Sequence, residues 1–317
     1  MATFNGAEYI DEQLASILGG SVVPDEVVVS DDHSTDDTIA RVRESFAAHG
    51  DERTRLLVLE GRGQLGVTAN FERAIAACDG DLVVLSDQDD LWHRDRLFAA
   101  LPAFEADPGL SLQHADARLV DRKGRPLGSS LLGALRIRQS ERRAIASGHP
   151  FNAYIRRNLA TGATVVLRRE LAALAQPFPR EWVHDEWLAI IAAAMGRVDL
   201  LDRPIIDYRQ HGGNQIGAAA PTFSYRISRF RNPRRDRYVI LARRAKILAD
   251  RLDELNAPRD ARQLAREKER FERVRSTFPR SRARRLPLVA REAIRGSYRR
   301  LSSQGSIDIL RDMLQPA

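Results

Sequence analysis

Apolar residues along the first hundred positions follow two alternating patterns. Short apolar runs predict buried strands over residues 26–30, 56–59 and 80–85. Between these runs, apolar residues at spacings of three and four predict amphipathic helices over residues 9–18, 34–46, 67–78 and 96–104. Strands that alternate with helices in this way predict an α/β fold with a mainly parallel sheet and helices on both faces.

The next hundred residues add a hairpin and three segments with polar residues at their ends. Residues 110–120 and 125–127 predict two strands joined by the turn Arg122-Lys123-Gly124. Residues 160–167 predict another strand, in which Gly162 permits close approach of a ligand or of a second strand. A helix is predicted to open at the Trp-Val-His-Asp-Glu-Trp segment 182–187, and a strand from residue 205 leads into a loop carrying His211.

Composition narrows the class of protein. The chain has 317 residues and 43% apolar composition, enough to bury a sizeable core. Its single cysteine, Cys78, excludes an internal disulfide framework and fits a reducing compartment. No apolar run reaches the roughly 18 residues of a membrane span, and the first residues are polar rather than typical of a signal peptide. We therefore expect a cytoplasmic protein.

The net charge of +7 is unevenly distributed. Residues 223–317 contain 26 Lys and Arg against 11 Asp and Glu, a net charge of +15, and the preceding residues carry a net charge of −8. This change predicts two domains, 1–216 and an Arg-rich helical extension 217–317. The extension either packs on the first domain or contacts an anionic membrane peripherally, and both interpretations remain open. Nucleic-acid binding would explain the basic residues but not the acidic clusters, so no nucleic-acid partner is expected.

Acidic residues follow two of the predicted strands. Asp31 and Asp32 come after the second strand, and Asp87, Asp89 and Asp90 come after the run at 80–85. Ligands bind outside the carboxyl ends of parallel strands, and carboxylates there suit Mg²⁺ or Mn²⁺ bridging a pyrophosphate. The alternative is a solvated turn, with Asp90 as the N-cap of the helix that follows. Ser34 is likewise predicted to cap the helix before Ile39.

Four clusters in this order resemble the family-2 inverting glycosyltransferases of the GT-A fold, in particular their rhamnosyltransferase-like branch. They are Thr3-Phe4-Asn5-Gly6, the segment 31–36, the segment 86–92, and His184-Asp185-Glu186-Trp187 followed by the segment 208–211. The resemblance covers residues 1–216. It implies transfer of a sugar, rhamnose in this branch, from a nucleoside diphosphate donor to a saccharide or lipid-linked acceptor during surface polysaccharide synthesis. It also implies a divalent cation, Mg²⁺ or Mn²⁺.

The resemblance assigns roles to individual residues. Thr3, Asp31 and Asp32 would contact the base and ribose of the nucleotide, with the ring of Phe4 packed on the base where the family more often has tyrosine. Asp87 and Asp89 match the family's Asp-x-Asp motif, so that Asp89 would hold the cation and Asp87 the ribose or a metal-bound water. His211 would complete the metal or diphosphate site.

Asp185 matches the catalytic base of the family. Acidic residues also stabilise a helix N-terminus electrostatically, so dipole stabilisation is the simpler explanation of Asp185 and Glu186. Trp182 and Trp187 favour a site, because their rings could form a wall against a sugar. Glu186 is the nearest competitor for the role of base, and a non-catalytic nucleotide-sugar binder remains the alternative function.

The chain departs from the family at its start. Family members place an apolar strand directly before the Thr-x-Asn-Gly segment, whereas here Met1 stands two residues ahead of Thr3. The first strand is therefore expected to be missing, which would leave unpaired backbone at the sheet edge. We hypothesise a wrongly assigned start codon, and an intact mass of the native protein equal to this sequence would end that hypothesis.

Overall fold

The computed structural model describes residues 1–210 and 235–315, which form two compact units. The sheet unit contains Met1–Gly148, Leu159–Ala192 and residues 196–210. The helical unit contains His149–Asn158, Ala193–Met195 and residues 235–315.

A parallel three-stranded sheet opens the sheet unit. Its strands are β1 (Ala2–Thr3), β2 (Glu26–Asp31) and β3 (Arg55–Glu60), in that order across the sheet. Helices α1 (Ile10–Leu18), α2 (Thr38–His49) and α3 (Val67–Ala76) connect or follow them. Residues of α1, β2 and α2 share one apolar cluster, in which Ile10, Leu14, Val29 and Val42 are fully buried. This packing orients β2 so that its last residue, Asp31, lies at the carboxyl edge of the sheet.

A second sheet of six strands has the order β4-β8-β6-β9-β5, with β7 paired to β6. The strands are β4 (Leu82–Val84), β5 (Leu91–Trp92), β6 (Leu110–Val120), β7 (Pro126–Ser130), β8 (Val166–Arg168) and β9 (Arg197–Arg209). The associated helices are α4 (Arg96–Ala106), α5 (Leu131–Leu135), α6 (Gln139–Ala146), α8 (Arg169–Ala175) and α9 (His184–Met195). Only β6 and β9 pair in parallel, and the other pairings in this sheet are antiparallel.

Three sequence predictions need correction at this level. The predicted α/β class is confirmed. The predicted parallel pairing, however, is found mainly in β1 to β3, because the larger sheet is mostly antiparallel. The first strand is present, since Ala2 and Thr3 pair with Ser30 and Asp31. The predicted strand 160–167 is largely a 3₁₀ turn, Gly162–Thr164, and only the residues from Val166 pair as a strand.

Five further helices lie in the C-terminal part of the helical unit. They are α10 (Arg235–Glu254), α11 (Arg259–Ser276), α12 (Arg282–Ile294), α13 (Ser297–Leu301) and α14 (Ser306–Leu314), and the short helix α7 (Phe151–Tyr154) belongs to the same unit. Helix α10 buries one apolar side, formed by Tyr238, Ala245, Leu248 and Leu252. In the described residues, no helix is long and apolar enough to cross a membrane.

A buried charged network holds the helical unit together. Arg275 of α11 donates from Nε to Asp312 of α14 at 2.8 Å and from Nη1 to Glu272 at 2.9 Å. Tyr298 donates its hydroxyl to the same Asp312 at 2.7 Å, and Tyr238 also donates to it. Arg275, Glu272 and Asp312 are at most 5% exposed. Because each buried charge here has an opposite partner, the helices can meet through polar side chains without leaving a charge unpaired.

We predict that Arg275→Met will lower the free energy of unfolding by about 3–5 kcal/mol, because it removes a cationic partner from buried Asp312 and from buried Glu272, of which only Glu272 keeps a pair with Lys268. The matched control is Arg266→Met on the same helix. The side chain of Arg266 is 42% exposed although it pairs with Asp250, Asp253 and Glu269, so we expect a loss of at most about 1 kcal/mol. Urea denaturation measures both, and equal losses would show that the buried network has no special role.

Candidate functional site

The loop after β4 carries the acidic residues and is held in place by Arg209. The backbone N–H of Arg209, the last residue of β9, donates to Asp90 Oδ1 at 2.9 Å, and its Nε donates to the carbonyl oxygen of Asp89 at 2.8 Å. Its Nη2 donates to Glu12 at 2.7 Å. This guanidinium is only 4% exposed. Arg209 therefore ties α1, the acidic loop and β9 into one rigid arrangement.

Asp90 is not a helix cap. It is followed by β5, and α4 begins only at Arg96 with Asp95 in the capping position, so the capping alternative for Asp90 is wrong. Asp90 is 2% exposed, and its Oδ2 has no hydrogen-bond partner among the described residues. Burial and the charges of Asp87 and Asp89 raise its pKa well above the ordinary value.

Gln88, between the two acidic residues of the motif, joins the acidic loop to the segment after β1. Its Oε1 accepts from the N–H of Phe4 at 2.9 Å, and its Nε2 donates to the carbonyl of Phe4 at 3.1 Å. A Cβ on Gly6 would lie 2.3 Å from Gln88 Oε1, so a larger residue at this position would displace the amide. The ring of Phe4 itself remains 41% exposed. The Thr-x-Asn-Gly segment thus presents an aromatic ring at a fixed position.

Asp31 organises the loop after β2 through three accepted hydrogen bonds. Its Oδ1 accepts from Thr3 Oγ1 at 2.8 Å and from Ser34 Oγ at 2.6 Å, and its Oδ2 accepts from the Ser34 N–H at 2.8 Å. Helix α2 begins at Thr38, so the prediction that Ser34 caps it is wrong. Ser34 instead links Asp31 to Asn5, whose N–H donates to Ser34 Oγ at 2.8 Å.

Asp32 holds the glycine-containing loop before α3. Its carboxylate accepts from the N–H groups of Leu65 at 2.5 Å and Gly66 at 2.9 Å, and Gly66 has φ +82°. The side chain of Asp32 is 7% exposed. These bonds fix Asp31 and Asp32 at the carboxyl edge of the first sheet, where Asp31 pairs with Thr3, the last residue of β1, and Phe4 follows directly after it.

Asp185 lies at the start of α9 and is bound by backbone from two directions. Its Oδ2 accepts from the N–H of Gly162 at 2.9 Å, and its Oδ1 accepts from the N–H of Glu186 at 2.6 Å. Burial raises the pKa of Asp185 to about 6, since it outweighs the hydrogen bond from Gly162, and the charge of Glu186 adds to the rise. Asp185 is 7% exposed, whereas Glu186 is less buried.

The residues around Asp185 are packing elements rather than an open wall. His184 is 5% exposed, stacks on Phe71 at 3.7 Å between ring centroids, and has no hydrogen-bond partner among the described residues. Burial lowers its pKa to about 3, so the imidazole is neutral. Trp182 and Trp187 are 6% and 1% exposed. The prediction that these tryptophans wall a sugar is therefore wrong, because both rings support the helix from within the core.

Electrostatics connect the loop after β4 with the start of α9. Burial, together with the charges of Asp89 and Asp185, raises the pKa of Asp87 to about 7. Asp89 and Asp185 are nearly one hundred positions apart in sequence, yet both act on the same carboxyl group. The charges of Asp89 and Asp185 therefore lie within electrostatic range of Asp87, and we call these three residues the acidic crevice.

The acidic crevice has the chemistry of a divalent cation site but lacks a complete set of protein ligands. Among residues 1–210 and 235–315, no three His, Cys, Asp or Glu side chains converge closely enough to hold a metal ion. Mg²⁺ typically binds one or two carboxylates together with substrate phosphates, so a two-carboxylate site fits a cation that arrives with a diphosphate. The unpartnered Oδ2 of Asp90 and the crowding of carboxylates are consistent with such a cation. His211 lies outside the described residues.

Sequence reasoning missed three residues that shape the site. In the sequence, Arg209 and Gln88 stand out only as members of polar segments, although both hold the acidic loop in place through hydrogen bonds. Arg73 of α3 donates from Nε to Ser30 Oγ at 2.7 Å and from Nη2 to the carbonyls of Asp31 and Leu59 at 2.6 and 3.1 Å. An arginine on the polar side of a predicted helix is ordinarily solvated, so only its contacts identify Arg73.

The chain is similar to known proteins in sequence and in fold. Residues 1–161, about half of the chain, match the profile of Glycosyl transferase family 2. The chain is 27% identical over 230 residues to the dTDP-rhamnosyl transferase RfbG of Shigella flexneri, covering 69% of this chain and 74% of that protein.

Two solved structures share the fold. S. aureus TarS 1–349 in complex with UDP-GlcNAc matches with a TM-score of 0.55 and 19% identity over 86% of this chain and 70% of that one. The mannosyltransferase PcManGT from Pyrobaculum calidifontis, in complex with GDP-Man and Mn²⁺, matches with a TM-score of 0.50 and 20% identity over 98% and 78%.

The fold is of the GT-A type, shared with these two structures. The chain belongs to glycosyl transferase family 2. The predicted family, fold class and enzyme class are thereby confirmed. The roles assigned to individual site residues stay predictions.

We predict that Gly162→Ala will impair transfer and lower the free energy of unfolding by about 1–3 kcal/mol, since overpacking forces neighbours to move. An added Cβ would lie 2.8 Å from His184 Nε2 and 3.4 Å from Asp185 Cβ. The control is Gly63→Ala, where no heavy atom lies within 4 Å, and its stability should change by less than about 0.5 kcal/mol. Thermal unfolding and a transfer assay test both variants, and a fully active Gly162→Ala would contradict tight packing at this helix start.

Proposed function

We propose that the protein is a metal-dependent inverting glycosyltransferase that moves rhamnose from a nucleoside diphosphate donor to a saccharide or lipid-linked acceptor. The observation that carries this proposal is the electrostatic interaction of Asp89 and Asp185 with Asp87, in a chain that belongs to glycosyl transferase family 2. A transferase needs negative charge to bind the cation of the donor and a separate carboxylate to accept a proton. The crevice contains both, from two segments far apart in sequence.

The donor would bind across the carboxyl edge of the first sheet. The exposed ring of Phe4 offers a surface on which a base can stack. Thr3, Asp31 and Asp32 lie beside it in a hydrogen-bonded arrangement that is formed before any ligand arrives. Preorganisation of this kind reduces the ordering needed when the nucleotide binds. Asp87 would contact the ribose or a water on the cation.

Asp89 would hold the divalent cation, Mg²⁺ or Mn²⁺, with His211 as a further ligand to the metal or the diphosphate. When bound, the cation would offset the charge that builds on the leaving diphosphate. Arg209 and Gln88 keep the loop carrying Asp89 in position through the contacts described above. The Mn²⁺ in the structure of the P. calidifontis mannosyltransferase supports this choice of cation.

Asp185 would act as the base that takes the proton from the acceptor hydroxyl as it attacks the anomeric carbon. One carboxylate suffices, because inversion needs no covalent enzyme intermediate. A pKa of about 6 keeps Asp185 ionised at neutral pH while making it a stronger base than an ordinary aspartate. The hydrogen bond from Gly162 orients its carboxylate.

Rhamnose and a role in surface polysaccharide synthesis are proposed from the similarity to RfbG, which is named as a dTDP-rhamnosyl transferase. A lipid-linked or growing saccharide acceptor would bring the enzyme to the inner face of an anionic membrane, where it would act peripherally from the cytoplasm. We further propose that the catalytic domain comprises residues 1–216 and that residues 217–317 form the basic extension. No nucleic-acid partner is proposed.

We predict that Asp89→Asn will abolish the gain in donor affinity that Mn²⁺ provides, because few protein ligands remain to hold the cation. Calorimetric titration with dTDP, with and without Mn²⁺, measures the effect. Asp79→Asn is the control, since Asp79 precedes β4, its side chain is 75% exposed, and it pairs only with Arg55 among the described ion pairs. If Asp89→Asn binds dTDP and Mn²⁺ as tightly as the wild type, Asp89 does not hold the metal.

Asp185→Asn should lower transfer by about 10²- to 10⁴-fold while donor binding stays near normal, because it removes only the proton acceptor. The Glu186→Gln control should be much milder. In the wild type, the transfer rate should fall about tenfold per pH unit below pH 6, where Asp185 becomes protonated, and level off above it. An active Asp185→Asn together with an inactive Glu186→Gln would identify Glu186 as the base.

A further inference from the structure

Helix α14 has the reverse of the polarity expected for a surface helix. Apart from Ser306 at its start, its exposed side chains are apolar: Ile307 at 47%, Leu310 at 55% and Leu314 at 53%. Its buried side chains are polar: Asp308 and Asp312, with Gln315 directly after the helix. At about 100° per residue, the three exposed apolar side chains fall within roughly 60° of arc. Surface helices normally bury such a stripe, so its outward position requires a separate explanation.

Buried hydrogen bonds fix α14 in this orientation. Asp312 accepts from Tyr298, from Tyr238 and from the guanidinium of Arg275. Asp308 accepts from the N–H of Gln304 at 3.0 Å. Rotating the helix to bury its apolar stripe would break these hydrogen bonds and the ion pair between Asp312 and Arg275, which is costly in an interior. The apolar stripe is therefore a stable feature of the surface.

The neighbouring helix α12 extends the same surface. It packs against α14 and exposes Leu286 at 48% and Ile294 at 88%. Exposed arginines flank these two residues along the helix, namely Arg282, Arg284, Arg291 and Arg295. Its buried positions are Arg285, Val289 and Glu292. The exposed side chains of α12 and α14 form what we call the α12–α14 face.

The charge around the α12–α14 face has one sign. Residues 280–315 contain nine arginines and three acidic residues. All three acidic residues, Glu292, Asp308 and Asp312, are at most 5% exposed. Seven of the arginines are exposed: Arg280, Arg282, Arg284, Arg291, Arg295, Arg299 and Arg300. The surface of this segment thus combines positive charge with outward leucine and isoleucine side chains.

We propose that the α12–α14 face binds the interfacial region of an anionic lipid bilayer. Leucine and isoleucine would enter the boundary between headgroups and acyl chains, while the arginines contact lipid phosphates. Nucleic acid would match the arginines but not the apolar stripe. An acidic protein partner would match the arginines, but it would need a separate apolar contact for the exposed Ile294. An anionic bilayer matches both the positive charge and the apolar side chains.

Flotation of the full-length protein with phosphatidylcholine vesicles, with and without phosphatidylglycerol, tests the proposal. We expect binding only to the anionic vesicles, and weaker binding as salt is raised, since exposed charges are screened. The double variant Leu310→Gln and Leu314→Gln should lower partitioning roughly tenfold by removing apolar contact. The double variant Arg282→Gln and Arg284→Gln should lower it by about fivefold for each arginine.

Two control pairs match these changes elsewhere in the helical unit. Val239→Gln with Ile240→Gln replaces apolar side chains that are each 53% exposed on α10, and Arg259→Gln with Arg273→Gln removes exposed charge from α11. Both controls should bind vesicles as the wild type does. Equal losses in test and control variants, equal binding to neutral vesicles, or no vesicle binding at all would overturn the proposal. So would a change in oligomeric state of the Leu310 and Leu314 variant without a change in vesicle binding.

Discussion

Crowding of carboxylates in the acidic crevice is the constraint on which the rest of the site depends. The pKa of Asp87 rises to about 7 through burial and the charges of Asp89 and Asp185. When no ligand is bound, repulsion between these like charges destabilises the protein. Functional sites commonly contain groups that lower the stability of the fold in this way. A cation that arrives with a nucleoside diphosphate would relieve this repulsion, so donor binding and charge compensation become one event.

Neutral and cationic contacts around the crevice keep the carboxylates together. Arg209 binds the backbone of the acidic loop, and Gln88 pairs with the backbone of Phe4. Gly162 donates to Asp185 and leaves no room for a side chain. Each contact joins segments that are distant in sequence. The crevice is therefore a product of the whole sheet unit rather than of any single motif.

Local patterns were sufficient to predict much of the fold. Apolar runs and helical spacings identified β2, β3, the β6–β7 hairpin and α9 because these elements bury a regular face. The two-residue strand β1 has no pattern to detect, and the 3₁₀ turn Gly162–Thr164 has the same apolar composition as a strand. The antiparallel pairings of the second sheet depend on contacts between distant segments, which a repeat of strand and helix does not reveal.

The sequence predicts those site residues whose chemical group also stands in a recognisable motif. It does not predict residues whose role depends on contacts with the backbone of other segments. The acidic residues at strand ends pointed to Asp87 and Asp89, and the family resemblance pointed to Asp185. Tryptophans near Asp185 suggested a sugar-binding wall, but tertiary packing buries both rings. Arg73 and Arg209 bind mainly carbonyl oxygens of other segments. These contacts leave no signature in the local sequence, because the sequence does not distinguish an arginine that binds distant carbonyls from one that is exposed to solvent.

A double-mutant cycle on stability tests most directly whether Asp87 and Asp185 share one crevice. Asp87→Asn, Asp185→Asn and the double variant would be unfolded in urea at pH 8 without divalent metal, where both carboxylates are ionised. Because the two charges repel, each substitution should stabilise the protein less when the other is already present, with a coupling of about 0.5 kcal/mol or more. Additive effects within about 0.3 kcal/mol would contradict the account, since residues without contact or charge interaction behave independently.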